Sequence, residues 1–161
     1  MMLEVKIDGL ALDMSTNSPV VILTPGNSDQ RILPIWIGHF EAWAIAMELS
    51  GLTSKRPLTH DLIKSCIESL GGKIQKVEIT HLLESTFYAK IYILFNNTIV
   101  EVDARPSDSM ALALKANVPI FAAEELFQIK KSDKEPGLPD PESLRERLKR
   151  INPEDFGKYS L

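Results

Sequence analysis

Thr86-Phe87-Tyr88-Ala89-Lys90-Ile91-Tyr92-Ile93-Leu94-Phe95-Asn96-Asn97-Thr98-Ile99-Val100-Glu101-Val102-Asp103 is the stretch that decides the fold. Its first half alternates, with Phe87, Ala89, Ile91, Ile93 and Phe95 on one face, the period of a half-buried strand. Asn96-Asn97 tolerates the left-handed backbone that a two-residue hairpin turn demands. Thr98 to Asp103 then returns as a β-branched strand. The seam that follows, Val102-Asp103-Ala104-Arg105-Pro106-Ser107-Asp108, leads into a helix over Ser109 to Ala116, with Pro106 at its first turn.

Working outward, Leu3, Val5 and Ile7 predict a first strand over residues 3–13. Val20 to Leu23 and Ile32 to Ile37 read as strands on either side of the Pro25-Gly26-Asn27 turn. Pro34 cannot donate a ladder bond, which puts its strand at an edge or a bulge. A helix follows from His39 to Ser50, with Ala42, Ile45, Ala46 and Leu49 as its buried stripe and Gly51 at its end. Thr59 is the expected N-cap of a second helix, His60 to Leu70, closed by Gly71-Gly72. Lys73 to Thr80 gives another strand, Val118 to Phe121 a last short one, and Ala122 to Phe127 a short helix. Strands and helices alternate without a regular βαβ rhythm. The expected class is α+β: a single domain over residues 1–129 with a mixed, largely antiparallel sheet packed with helices. Residues 130–161 read as a polar, proline-rich linker and a short charged helix over 141–151.

The 161 residues suffice for one domain with a real core. No apolar run approaches the roughly 20 residues of a membrane span, and the N-terminus lacks the pattern of a signal peptide. A cytoplasmic location with no membrane partner is the default expectation. Cys66 is the single cysteine and falls in a helical apolar pattern, so a buried, inert thiol is expected. The net charge of −4 argues against bulk electrostatic capture of nucleic acid. Residues 1–129 carry 10 basic and 15 acidic side chains, and residues 130–161 carry 8 and 7, so dividing the chain exposes no basic domain. The helix after Pro106 is apolar nearly all round, which places it centrally in the core or against a second subunit. With Phe40, Trp36 and Trp43 it motivates the expectation of a homo-oligomer, a dimer above all.

The strand-to-helix seam is where α/β chemistry gathers, because a strand fixes the backbone while the turn exposes side chains. Asp103 and Asp108 could hold a divalent cation, Mg²⁺ or Mn²⁺, and Arg105 could grip a phosphate. The plainer reading makes Asp108 a helix-dipole partner and Asp103–Arg105 a local ion pair. His60 can serve as a base near neutral pH, with a surface or capping role as its plain alternative; Asp61 follows it, but adjacent helical side chains diverge by about 100° and would not share one metal. Glu41, in the first turn of its helix, is a candidate on the substrate side, with dipole compensation as its plain alternative. Glu48 lies about 10 Å further along the same face, too far to share an ion with Glu41. Lys55 and Arg56 could track a phosphate backbone. The chain has no P-loop, Gly-x-Gly-x-x-Gly, Cys-x-x-Cys, His-Glu-x-x-His or Gly-x-Ser-x-Gly motif.

Three blocks carry a family resemblance. They are Leu33-Pro34-Ile35-Trp36-Ile37-Gly38 with Glu41-Ala42 and Ala44-Ile45, Arg56-Pro57-Leu58-Thr59-His60-Asp61-Leu62, and Asp103-Ala104-Arg105-Pro106-Ser107-Asp108 with Ala111-Leu112-Ala113. In this order they resemble the bifunctional nuclease domain family over residues 3 to 129. The resemblance implies a nuclease acting on both DNA and RNA; it brings no catalytic mechanism with it. Ser109 stands where the family usually has alanine, and Lys115 where arginine is common, which keeps the charge but not bidentate phosphate recognition.

The leading expectation is therefore a metal-assisted phosphodiesterase. Asp103 and Asp108 would hold the cation, Arg105 would stabilise developing charge, and His60 or Asp61 would position water or the leaving group. The rival is a non-catalytic oligomeric interaction module that binds a partner or a small anionic ligand near Gly38 or Arg105. A small-molecule hydrolase lacks any supporting nucleophile arrangement.

Overall fold

A computed structural model describes residues 1–26 and 28–130. The expected charged helix over 141–151 lies outside the described residues. Among the described residues eight strands form one sheet: β1 (Met2–Asp13), β2 (Ser18–Thr24), β3 (Arg31–Trp36), β4 (Lys73–Leu83), β5 (Thr86–Phe95), β6 (Thr98–Ala104), β7 (Ile120–Ala123) and β8 (Ile129–Lys130). Their order is β6-β5-β4-β7-β1-β2-β3-β8. Only β4 and β7 run parallel; the other neighbours are antiparallel. The class is α+β, as the alternation of the sequence implies.

The β5–β6 hairpin forms where the alternation and Asn96-Asn97 predict it. Asn96 and Asn97 both take positive φ, 48° and 60°, as a tight primed turn requires. Ile91 faces Val102 and Lys90 faces Asp103 across β5 and β6. β1 changes partner along its length, pairing with β7 through Met2–Val5 and with β2 from Lys6 onward. A register shift between Ile7 and Gly9 falls at that change, so a local irregularity lets one strand serve two neighbours. Pro34 pairs with Ile22 on one side, and β8 reaches only Arg31 and Ile32 on the other. Its missing N–H therefore falls where β3 has become an edge.

Three helices cover one face: α1 (His39–Leu49), α2 (Thr59–Ser69) and α3 (Pro106–Ala116). α3 packs against β4 and β5 and lies between α1 and α2. Ser109, Met110, Ala111, Leu112 and Ala113 are fully buried there, against Val77, Ile79, Ala89 and Ile91 of the sheet. The all-round apolar character of α3 is thus spent inside the domain, and it calls for no second subunit.

Two local expectations change. Thr59 is the first residue of α2, not its cap; Leu58 precedes the helix, and its backbone N–H donates to Asp61 Oδ2 at 2.9 Å. Cys66 is exposed. α2 packs inward chiefly through His60 and Ile67, and Cys66 falls on the far side with the exposed Leu62 and Ile63. No helix among the described residues is long and apolar enough to cross a membrane.

Candidate active site

The three helices enclose a cavity of about 420 Å³. Its titratable lining comes from Glu41 and Glu48 of α1, His60 and Asp61 of α2, and Arg105, Asp108 and Lys115 at or within α3. The spacing explains the convergence. Glu41 and Glu48 are seven residues apart on α1, as are Asp108 and Lys115 on α3, and two helical turns return a side chain to nearly the same face. α1 and α3 therefore each offer the groove two polar positions, and the first turn of α2 adds His60 and Asp61.

The upper rung starts at Asp108. Its Oδ1 lies 2.9 Å from His60 Nε2, and its Oδ2 accepts from Arg105 Nε at 2.9 Å. Arg105 also reaches Glu41, with Nη2 2.9 Å from Oε1. Burial works against ionisation of Asp108, but the hydrogen bonds from Arg105 and His60 outweigh it and hold its carboxyl below the usual range. An ionised carboxylate cannot donate, so His60 Nε2 carries the proton, and in the neutral ring the lone pair sits on Nδ1. Hydrogen bonds to Asp108, its charge and the Glu41 contact raise the Arg105 guanidinium further above its already high value.

Arg105 remains available despite these contacts. Its side chain is 65% exposed. Two N–H groups are committed to carboxylates, out of about five that a guanidinium offers, which leaves donors for an incoming anion. Gly38 makes the Glu41 contact sterically feasible. A Cβ there would collide with the Glu41 carboxylate, which folds back over the helix start.

The lower rung is centred on Lys115. Its Nζ lies 2.5 Å from Glu48 Oε1 and 2.6 Å from Asp61 Oδ1. The side chain is only 9% exposed. Burial would lower the Lys115 pKa, yet hydrogen bonds to Asp61 and Glu48 raise it above the ordinary lysine value. Asp61 shows the converse: burial favours its neutral form, while Lys115 and the Leu58 N–H pull its pKa down. As the helical geometry requires, His60 and Asp61 turn to different partners.

The acidic pair is not brought together. Asp103 is exposed on β6 opposite Lys90, outside the cavity lining, and does not join Arg105 in an ion pair. The reason is strand alternation: Asp103 shares a face with Glu101, whereas the helices cover the other face, which carries Ala89 and Ile91. Nor do the cavity's carboxylates fit a divalent cation as arranged. Asp108 gives both oxygens to Arg105 and His60, Glu41 is paired with Arg105, and Glu48 and Asp61 with Lys115. Among the described residues no group of three or more His, Cys, Asp or Glu side chains is placed to hold a metal. Lys55 and Arg56 lie on the exposed loop next to the lining residues Thr53, Ser54 and Leu58, without lining the cavity themselves.

Lys115 and Glu48 line the cavity although neither is a site candidate from the sequence, where Lys115 figures only as a departure from the family's usual arginine. The seven-residue spacing of Lys115 from Asp108, matching that of Glu41 and Glu48, is the signal that marks it. The rim also holds Phe40, Trp43 and Leu52.

The Bifunctional nuclease domain family matches residues 21–135, a span that contains every residue of both rungs. The chain belongs to this family. An uncharacterised protein of Mycobacterium tuberculosis is 42% identical over 163 residues, covering 95% of this chain and 97% of that protein. Bifunctional nuclease 1 of Oryza sativa subsp. indica is 23% identical over 114 residues, 69% of this chain and 34% of its own length. Bifunctional nuclease 1 of Arabidopsis thaliana is 21% identical over 105 residues, 63% of this chain and 32% of its own. The match thus spans about a third of the length of these plant bifunctional nucleases.

Proposed function

We propose that this bifunctional nuclease domain hydrolyses phosphodiester bonds of DNA and RNA in the cavity between α1, α2 and α3. One observation carries the reading: a single carboxylate, Asp108, orients both an imidazole and an exposed guanidinium. That is the pairing a phosphodiesterase needs, a base for water beside a binder of phosphate oxygens. The family match and the plant relatives named bifunctional nuclease support the same substrate class.

In this reading the free N–H groups of Arg105 take the non-bridging phosphate oxygens and counter the charge that builds in the transition state. His60 Nδ1 accepts a proton from a water, and that water's oxygen bonds to phosphorus. The P–O bond to the leaving sugar breaks, and the leaving oxygen takes a proton from solvent. Asp108 keeps the imidazole in the required tautomer and stabilises the imidazolium that forms. Water as nucleophile suits DNA and RNA equally, since no 2′-hydroxyl is needed. No step runs through a metal ion, because the carboxylates that would hold one are engaged with cations.

The experiment is cleavage of single-stranded DNA and RNA by the purified full chain, followed across two chromatographic steps. Activity should co-elute with the protein and fall by about 10²- to 10⁴-fold in His60→Gln. Activity that separates from the protein, or that survives His60→Gln unchanged, overturns the assignment. One observation favours the rival, a non-catalytic binding module: the two rungs close into ion-pair networks, as structural braces do. That module would bind anions at Arg105 and leave every phosphodiester intact.

A further inference from the structure

Arg105 lines not one cavity but two. A second hollow of about 390 Å³ also has Arg105 in its lining, with Trp36, Gly38, Phe87 and Ser107 among others. Among the described residues Arg105 alone is common to both linings. Each hollow carries an exposed aromatic: Phe40, 77% exposed, on the catalytic side, and Trp36, 50% exposed, on the other. The two hollows that share Arg105 thus each present one open aromatic face.

Trp36 is also held in place. Its indole N–H donates to Asp13 Oδ2 at 2.9 Å. Hydrogen bonds from Ser15 and from Trp36 keep the Asp13 carboxyl low, at about 2, so it stays a charged acceptor through the physiological range. The edge of the ring is anchored to the end of β1, and half of its surface stays in solvent. A platform whose orientation is fixed beforehand loses less freedom on binding.

We infer that Arg105 is the midpoint of a two-sided cleft for single-stranded nucleic acid, with one base against Trp36 and the next against Phe40. The inference rests on the nuclease reading for its substrate class and narrows it. A phosphate seated on Arg105 has a nucleoside on each side, and each hollow is large enough to admit a base. Stacking on an aromatic face is indifferent to base identity and to the sugar, which suits a site that takes both DNA and RNA. A duplex cannot present its bases this way, because they are stacked on each other and turned inward. The acidic balance of the domain also disfavours broad capture of a duplex backbone.

The test measures binding apart from turnover. Fluorescence anisotropy of a labelled mixed-sequence oligonucleotide, checked intact on a gel afterwards, compares the single strand with its duplex on the full chain. The single strand should bind at least about tenfold tighter. Trp36→Ala and Phe40→Ala should each weaken it by about 5- to 150-fold, the span that truncating a base-stacking aromatic covers. Trp36→Phe and Phe40→Trp should restore most of the affinity, and circular dichroism should show all four variants folded. Equal affinity for duplex and single strand, or alanine variants that bind as wild type, overturns the inference. A wild-type protein that binds single strands through both aromatics yet cleaves nothing upholds the cleft and defeats the catalytic assignment instead.

Discussion

Lys115 Nζ meets Asp61 Oδ1 at 2.6 Å, so the residue beside the candidate base is tied to the C-terminal turn of α3. The same ammonium holds Glu48 of α1 at 2.5 Å. One buried cation therefore fixes the relative positions of three helices, and the His60–Asp108 contact depends on that spacing. Lys115→Met should destabilise the domain by about 3 kcal/mol, since it leaves two carboxylates facing each other without a counter-charge. Asp61 is partly exposed, which keeps the cost below that of a fully enclosed pair. Urea unfolding of the variant checks the figure, and Lys115→Arg should recover most of the loss.

The pH dependence of stability follows from the two rungs. Asp61 and Asp108 both titrate below the ordinary aspartate value of 3.8 in the folded chain. A depressed carboxylate contributes stability that is fully present above that value and is lost as the pH falls through the lower folded one. Lys115 titrates above 10.5 when folded, so its contribution is present below that pH and is lost as the pH rises through the raised value. Urea midpoints should hence be flat across the neutral range and fall at both extremes. Asp108→Asn should shallow the acid limb and leave the alkaline limb unchanged.

Much of this arrangement was legible in the residues. The Phe87-to-Phe95 alternation, the paired asparagines and Pro106 define β5, β6 and α3 with no tertiary information, because each is a local constraint on the backbone. Of the seam residues, Arg105 and Asp108 both line the cavity. The pairing of Asp103 with Asp108 failed for a physical reason. Strand alternation puts Asp103 on the uncovered face, and nothing local announces which face of an edge strand the helices will take. His60–Asp108 and Lys115–Asp61 join residues more than forty positions apart, a distance that periodicity cannot bridge. Cys66 failed similarly: the apolar stripe of α2 is broad, and only packing decides which part of it is buried.

The open face of the sheet carries a network of its own, and it can be read spectroscopically. Tyr92 donates to Glu78 Oε2 at 2.7 Å, while Lys76 Nζ lies 2.6 Å from Glu78 Oε1 and 4.5 Å from the centre of the Tyr92 ring. The hydrogen bond to Glu78, with burial and the charge of Glu78 behind it, raises the phenol from 10.0 to about 12. Ultraviolet titration should show one tyrosine ionising near that value. Glu78→Gln should return it toward the ordinary range, since an amide accepts the hydrogen bond but brings no negative charge to oppose the phenolate.

Gly38 offers a way to disturb Arg105 without touching it. The glycine sits at φ −73°, an angle open to any residue, so its requirement is one of space and not of backbone freedom. A methyl group there would strike the Glu41 carboxylate, which is a flexible end and can swing away. The expected cost to folding of Gly38→Ala is small, about 1 kcal/mol or less, including the poorer cap that alanine makes. Its effect on the site should be larger. Displacing Glu41 removes one of the two carboxylates that hold Arg105, and the guanidinium, already mostly exposed, gains rotational freedom. In the nuclease reading KM for oligonucleotide should rise several-fold, while Glu41→Gln, which keeps the side chain's length but not its charge, gives a similar rise with Gly38 intact. Agreement between the two variants would place the effect in the Glu41–Arg105 contact. A Gly38→Ala protein with wild-type KM would mean that Asp108 alone suffices to aim the guanidinium.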